Sequence, residues 1–354
     1  MSTSDYYKSI FNRVFYTPDA ENYPAFRNTS AVLGSLPWQR VDSADEIPLE
    51  YQNQKSLLLQ TVRGKPFTTC PGTRFHQCCN YYTIDAFIGC SIACSYCIMQ
   101  SYLNFRPLVV QVNPEPAIAE MREAAKRLPV LRVGTGEVGD SLQLDPLTGL
   151  SEVFIRAAAD LPNVRFELKT KTDFVHHLLD IEPKGRAVIG FSVNPPAVVA
   201  NEEGIAAPLA ARLEAARLAL DAGYQLAFHF DPMIRVKNWE MQYRAVAEQL
   251  LQFDRKDVAW ISLGTVRFTP GLRKKISDRP YLYDEFVPCK DGKLRYLQPL
   301  RVEMYKVVAN ILRGGYPLYL CMESDAVWKK VFGAIPTEIP LIRDIFAGRR
   351  EDRD

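Results

Sequence analysis

Cys90, Cys94 and Cys97 stand four and three residues apart in the stretch GCSIACSYCIMQ, directly behind the alternating run YYTIDAFIG. In a reducing compartment, clustered cysteines bind metal or do chemistry more often than they form bridges. Iron–sulfur clusters are held by thiolates, as a rule one per iron. Three thiolates in one tight loop leave one iron of a four-iron cube without a protein ligand. An open coordination position is what a catalytic metal keeps, whereas a structural metal closes its shell. The alternative is a closed zinc site in which Cys94 and Cys97 form a C-x2-C pair and His76, Cys78 or Cys79 completes four ligands.

The elements around this loop must position it. Short β-branched and aromatic runs predict strands over 81–89, 130–136, 164–170, 186–194, 224–231 and 258–265. Helix-like stretches separate them. NPEPAIAEMREAAKRL opens at Asn113 as a capping residue with proline in the first turn, and PLAARLEAARLALDAG stops at Gly223. Alternation of this kind predicts an α/β fold built on a partial (βα)6 TIM-type barrel over 81–270. Residues 1–80 are expected to form an N-terminal extension, and 271–354 a C-terminal segment packed on the barrel. Barrel chemistry sits at the C-terminal strand ends. Those ends carry Cys90, the run Gly134 to Glu137, Thr170 with Lys171, Ser192 with Asn194, Asp231, and Thr265 with Arg267.

A chain of 354 residues with 47% apolar and 24% charged residues can bury a core without disulfides, so its eight cysteines need another explanation. A net charge of +2 neither requires nor excludes nucleic acid. No apolar run approaches a membrane span and no signal-peptide pattern opens the chain, so a cytoplasmic setting with no membrane is expected.

The loop C-x3-C-x2-C behind the first barrel strand, with Tyr96 before its last cysteine, resembles that of the radical S-adenosylmethionine (radical SAM) superfamily. Within it, the chain is similar to the spore photoproduct lyase family over roughly 85–270. The resemblance rests on CSYC…Q at 94–100, DPLTG at 145–149, ELKTKTDFVHHLLD at 167–180, GFSVNPP at 190–196, RLEAARLALDAGYQLAF at 212–228 and SLGTVRF at 262–268. It implies a 4Fe–4S cluster on Cys90, Cys94 and Cys97, whose open iron chelates S-adenosyl-L-methionine and whose electron cleaves the sulfonium to a 5′-deoxyadenosyl radical. It further implies that Gly134, Gly136 and Glu137 line the cofactor's amino-acid end. Lys171, Ser192, Asn194 and Asp231 would join them at the cofactor, and Glu137 and Tyr96 take the catalytic positions. An external electron donor of flavodoxin or ferredoxin type and DNA are the implied partners.

Two positions depart from the family pattern. Glu137 stands where the family has a hydrogen-donating cysteine, and Ile98 where it has a relay tyrosine. A carboxylate O–H bond is far stronger than a thiol S–H, so Glu137 cannot hand a hydrogen atom to a carbon radical. Either another thiol serves, with Cys70, Cys78, Cys79, Cys289 and Cys321 as candidates, or the radical is redirected. The stretch 267–306 holds ten Lys or Arg against five acidic residues, interleaved with tyrosines. It suits phosphates and extruded bases, or simply a solvated face. The resemblance places the family's DNA contacts at this end, around an Arg-Tyr pair; LRYLQP offers Arg295-Tyr296, but the residues around it depart from the family's pattern. His176 and His177 read as packing and capping residues, and His229 stays open between core and site.

Overall fold

The computed structural model describes residues 3–73, 76–103, 107–182 and 184–346. The chain folds as two compact units. One comprises Met1–Thr69, Tyr82–Ala93 and Tyr102–Ala187, the other Cys70–Tyr81, Cys94–Ser101 and Val188–Asp354.

The first unit contains strands β1 (Arg13–Tyr16), β2 (Trp38–Arg40), β3 (Ser56–Gln60), β4 (Phe67–Thr69), β5 (Tyr81–Ile84, from Tyr82 onward), β6 (Phe87–Ile88), β7 (Leu108–Gln111), β8 (Leu131–Gly134) and β9 (Val164–Thr170). Five of them make a sheet in the order β2-β1-β3-β7-β6. The region before residue 80, expected as an N-terminal extension, thus contributes three strands of this sheet, β1, β2 and β3, completed by β6 and β7. Its strands are three to five residues long, too short for a period-two pattern to stand out. The other strands run β9-β8-β5-β4, with β8 and β9 parallel and β4 antiparallel to β5. The helix Glu115–Arg127 begins after Pro114. Asn113 does not cap it: its side-chain oxygen accepts the Val62 N–H at 2.6 Å, beyond the end of β3.

The second unit contains β10 (Ala187–Ser192, from Val188 onward), β11 (Gln225–Met233), β12 (Val258–Thr265), β13 (Arg267–Phe268), β14 (Phe286–Pro288), β15 (Leu294–Tyr296) and β16 (Leu318–Leu320). Parallel pairing sets the order β16-β12-β11-β10. Every residue of β10 is buried, as expected of a parallel strand covered on both faces. The helix Leu209–Asp221 covers this sheet with Ala215, Ala216 and Ala219 inward and ends before Gly223, whose φ is +93°. A separate antiparallel trio, β13-β15-β14, follows in the order of pairing. All six expected regions contain strand, but 81–89 is divided: β5 pairs with β4, whereas β6, just before Cys90, pairs antiparallel with β7 in the five-stranded sheet. No helix among the described residues is long and apolar enough to cross a membrane.

Candidate active site

The two units each hold one arm of the cysteine loop, and the arms are anchored by different physics. In the first unit, Gly89 lies in an isolated parallel bridge with Gly139 and donates its N–H to Val138 O at 3.0 Å. The Gln143 side chain then clasps Ser91 twice, accepting its N–H at 3.1 Å and donating to its hydroxyl at 2.7 Å. Cys90 is thus held between two stitches to the loop after β8. Tyr7, on the helix Thr3–Ile10, donates to Gln143 O at 2.6 Å from a fully buried position. Burial raises the Tyr6 hydroxyl to about 12, with Asp140 and Cys90 adding to the shift and a Gln143 hydrogen bond opposing it. The N-terminal helix is therefore bonded to the residue that clasps Ser91, next to the first cysteine in the chain.

The loop after β8 carries Gly134, Gly136 and Glu137. A Cβ on Gly136 would stand 2.7 Å from the Lys169 Cβ and 3.0 Å from the Ser141 hydroxyl, so only glycine fits. Asp140, which sequence reasoning missed, organises this end. Its Oδ1 accepts from Leu142 N and Gln143 N at 3.0 Å and from the Thr170 hydroxyl at 2.7 Å, while Oδ2 accepts from Lys171 N at 2.7 Å. One buried carboxylate thereby ties Lys171, at the end of β9, to the glycine loop. Glu137 lies near Asp85, whose carboxyl is raised by burial first and by the Glu137 charge second. His177 packs its Nε2 against the buried Asp145 carboxylate at 2.7 Å, as a structural histidine does.

In the second unit, the turn Cys94-Ser-Tyr-Cys97 is closed by Cys97 N to Cys94 O at 3.1 Å, and Gln100 Nε2 donates to Cys94 O at 2.7 Å. Ser95 docks through its N–H on Glu202 O at 2.8 Å and through its hydroxyl on the Glu202 carboxylate. The Tyr96 hydroxyl donates to Glu203, whose other oxygen pairs with Arg212; both partners of this ion pair have fully buried side chains. Asn194 Nδ2 donates to the same Glu203 carboxylate at 2.9 Å, Arg212 donates to Ser192 O at 2.8 Å, and Tyr243 donates to Asn194 Oδ1 at 3.0 Å. Three expected residues, Tyr96, Ser192 and Asn194, are thus joined through Glu203 and Arg212. Burial, then the Cys94 and Glu203 charges, push the Tyr96 hydroxyl far above its ordinary range, so it stays protonated.

Asp231 lies at the end of β11, paired with Arg267 at 3.1 Å, and a Cβ on Gly264 would run into its carboxylate. Arg267 also reaches the Cys321 sulfur at 3.8 Å. Burial, then the Asp231 charge, raise the Cys321 thiol well above its usual value, with Arg267 opposing and Cys79 and Cys70 adding. His229 is buried, with Nδ1 2.7 Å from the Ser262 hydroxyl. Arg295 and Tyr296 are both buried; Arg295 pairs with Asp291 at 2.7 Å, and the Tyr296 ring stacks on Phe286 at 4.2 Å. That pair is part of the hairpin core rather than an exposed contact.

Every one of the eight cysteines is a thiol, and among the described residues no three His, Cys, Asp or Glu side chains are gathered to hold a single metal ion.

A family model described as spore photoproduct lyase matches residues 45–283. Relatives include the spore photoproduct lyase of Clostridium acetobutylicum, 24% identical over 282 residues, covering 76% of this chain and 82% of that protein. The spore photoproduct lyase of Geobacillus sp. is 32% identical over 240 residues, covering 65% of this chain and 67% of its own. A solved structure of a mutant spore photoproduct lyase with bound AdoMet and dinucleoside spore photoproduct matches with a TM-score of 0.76 at 23% identity, over 88% of this chain and 98% of that one. The expected α/β fold with a partial-barrel, curled sheet is thereby established. The chain belongs to the spore photoproduct lyase family of radical SAM enzymes.

Proposed function

We propose that this chain binds one 4Fe–4S cluster through Cys90, Cys94 and Cys97, binds S-adenosyl-L-methionine beside it, and acts on a photoproduct in DNA. One observation carries the reading: Tyr96, inside the cysteine turn, shares a buried carboxylate with Asn194, and the Arg212 paired with that carboxylate holds the Ser192 carbonyl. That network ties the turn to the strand end expected at the cofactor. The donor set suits the group, because three soft thiolates are what iron–sulfur clusters take. Ala93, at φ +59°, turns the chain between the first two of them. When bound, a cluster with one open iron supplies the electron that splits the sulfonium into methionine and a 5′-deoxyadenosyl radical.

The chain's own residues position and exclude. Gly136 lets the loop after β8 close against Lys169 and Ser141, which sets the backbone expected at the cofactor's amino-acid end. Lys171, Ser192 and Asp231 supply charge and hydrogen bonds around the rest of the cofactor, and Asn194, its amide bonded to Glu203 and Tyr243, holds that strand end in place. Glu137, near Asp85, gives up no hydrogen atom. For that step the reading assigns the Cys321 thiol, which lies 3.8 Å from the Arg267 paired with Asp231. The setting is cytoplasmic, and a small flavodoxin- or ferredoxin-type protein delivers the electron.

Anaerobically purified protein should be brown, and the triple Cys90→Ala/Cys94→Ala/Cys97→Ala variant colourless. Incubated with reductant, S-adenosyl-L-methionine and photoproduct-bearing DNA, the enzyme should return repaired thymines, and Cys321→Ala should accumulate side products. Colourless wild type with stoichiometric zinc would sink the reading. A second reading, radical modification of a small molecule or peptide, is favoured by Glu137 and Ile98. It gains if 5′-deoxyadenosine forms at a rate the lesion does not alter and no DNA is repaired.

A further inference from the structure

A cationic patch borders the cysteine turn. The short helix Pro270–Lys275 lies against the turn of 3-10 helix Ile98–Ser101 that follows Cys97. Two bonds join them: Ser101 and Thr269 share a hydroxyl hydrogen bond at 2.9 Å, and Lys275 Nζ donates to Gln100 O at 2.7 Å. The Gln100 amide in turn holds Cys94 O. Lys275 is thus one residue removed from the backbone of a cluster cysteine. Arg273, Lys274 and Lys275 are all exposed, and Arg279 stands nearby at 3.2 Å from Asn201 O. Residues 270–280 carry these four cations against the single acid Asp278, in a chain whose total is only +2; Arg279 is paired with Glu202 at 3.8 Å and Asp278 at 3.6 Å, so Arg273, Lys274 and Lys275 carry the charge of the patch. Beside them Tyr283 is 71% exposed, yet its hydroxyl is fixed on Ser277 O at 2.6 Å.

We infer that this face, Arg273, Lys274 and Lys275 with Tyr283 at its edge, is where an acidic one-electron carrier protein docks. The inference rests on the radical SAM reading above and locates its electron entry. Electron-transfer complexes are small and transient and are steered by complementary charge. A compact cationic patch with one rigid, exposed aromatic fits such an interface. Duplex DNA would instead ask for a longer track of phosphate contacts, typically about 6–10. Electron delivery also demands a short path, and the patch is bonded to the 3-10 helix that directly follows two of the three thiols, with Gln100 as the link to Cys94 O. In the transfer the carrier loses one electron and the bound cluster gains it, with no proton or leaving group.

The test uses full-length, anaerobically reconstituted enzyme. Bleaching of the cluster's visible absorption is followed with a reduced acidic flavodoxin and, separately, with photoreduced 5-deazaflavin, a small neutral reductant. Arg273→Glu/Lys274→Glu should slow reduction by flavodoxin about tenfold or more at low salt, with the difference closing at high salt. Tyr283→Ala should slow it severalfold at any salt. Reduction by deazaflavin and the anisotropy-measured affinity for a photoproduct oligonucleotide should stay unchanged. Unaltered flavodoxin kinetics in both variants overturn the inference. So does a loss of DNA affinity without a loss of flavodoxin rate, which would make the face a nucleic-acid contact. Wild type that bleaches with deazaflavin but ignores flavodoxin defeats the docking face alone, whereas wild type with no cluster to bleach defeats the functional reading beneath it.

Discussion

The two arms of the cysteine loop solve the same problem differently. Around Cys90 the chain is held by backbone stitches and a neutral amide, Gln143, with Asp140 satisfied by four backbone and hydroxyl donors. Around Cys94 and Cys97 it is held by a buried ion pair, Glu203–Arg212, that gathers a tyrosine, an asparagine and a strand-end carbonyl. Neutral clasps contribute modestly and fail one bond at a time. A buried ion pair contributes little net stability but fails badly when one partner is lost, because the remaining charge has no water to solvate it. The second arm should therefore be rigid and brittle, and the first tolerant and graded.

That contrast sets the order of expected effects. Arg212→Met should be the most damaging single change, lowering unfolding free energy by about 3–5 kcal/mol in denaturant titrations. The double variant Glu203→Gln/Arg212→Met should recover much of that loss. If the double variant is as unstable as the single one, stranded charge is not the cause. Next, Asp140→Asn places an amide donor against the donors that its carboxylate now accepts, and should cost about 2–3 kcal/mol. It should also weaken S-adenosyl-L-methionine binding measured by calorimetry, since Lys171 loses its tether.

A pH effect of similar size belongs to neither arm and serves as an outside reference. Burial opposes ionisation of Asp291, but the hydrogen bond and charge of Arg295 outweigh it and hold its carboxyl down at about 2. Its folded value lies below the ordinary value near 3.8. The pair's contribution is therefore complete above that ordinary value and is lost as pH falls through about 2. About 1–2 kcal/mol should disappear across that window, less than the full shift implies because solvent screens this partly exposed pair, and Asp291→Asn should flatten it. Last, Tyr7→Phe and Gln143→Leu should each cost only about 1–2 kcal/mol, with hydrogen exchange rising at residues 89–91. A collapse as large as that of Arg212→Met would erase the distinction between the arms.

Much of this was legible without coordinates because it is local. The strands at 164–170 and 258–265 run to the same residues in structure, since β-branched and aromatic runs bounded by turns declare themselves over a few residues. The short strands before residue 80 did not, and Asn113 looked like a cap because cap chemistry and a tertiary hydrogen bond use the same side chain. Arg295-Tyr296 looked like a surface pair because sequence shows charge but not burial.

Sequence alone determined the three-thiol loop, the strand ends that carry polar groups, the glycine at position 136, and the departures at Glu137 and Ile98. Tertiary structure alone decided that Glu203, Arg212, Asp140 and Gln143 hold those parts in place, and that a basic helix from residue 270 onward lies against the cysteine turn. The reason is range. Propensity and ligand spacing act between near neighbours along the chain. A buried carboxylate acquires its role only when folding removes water and brings its donors, such as Thr170 for Asp140, from about thirty positions away.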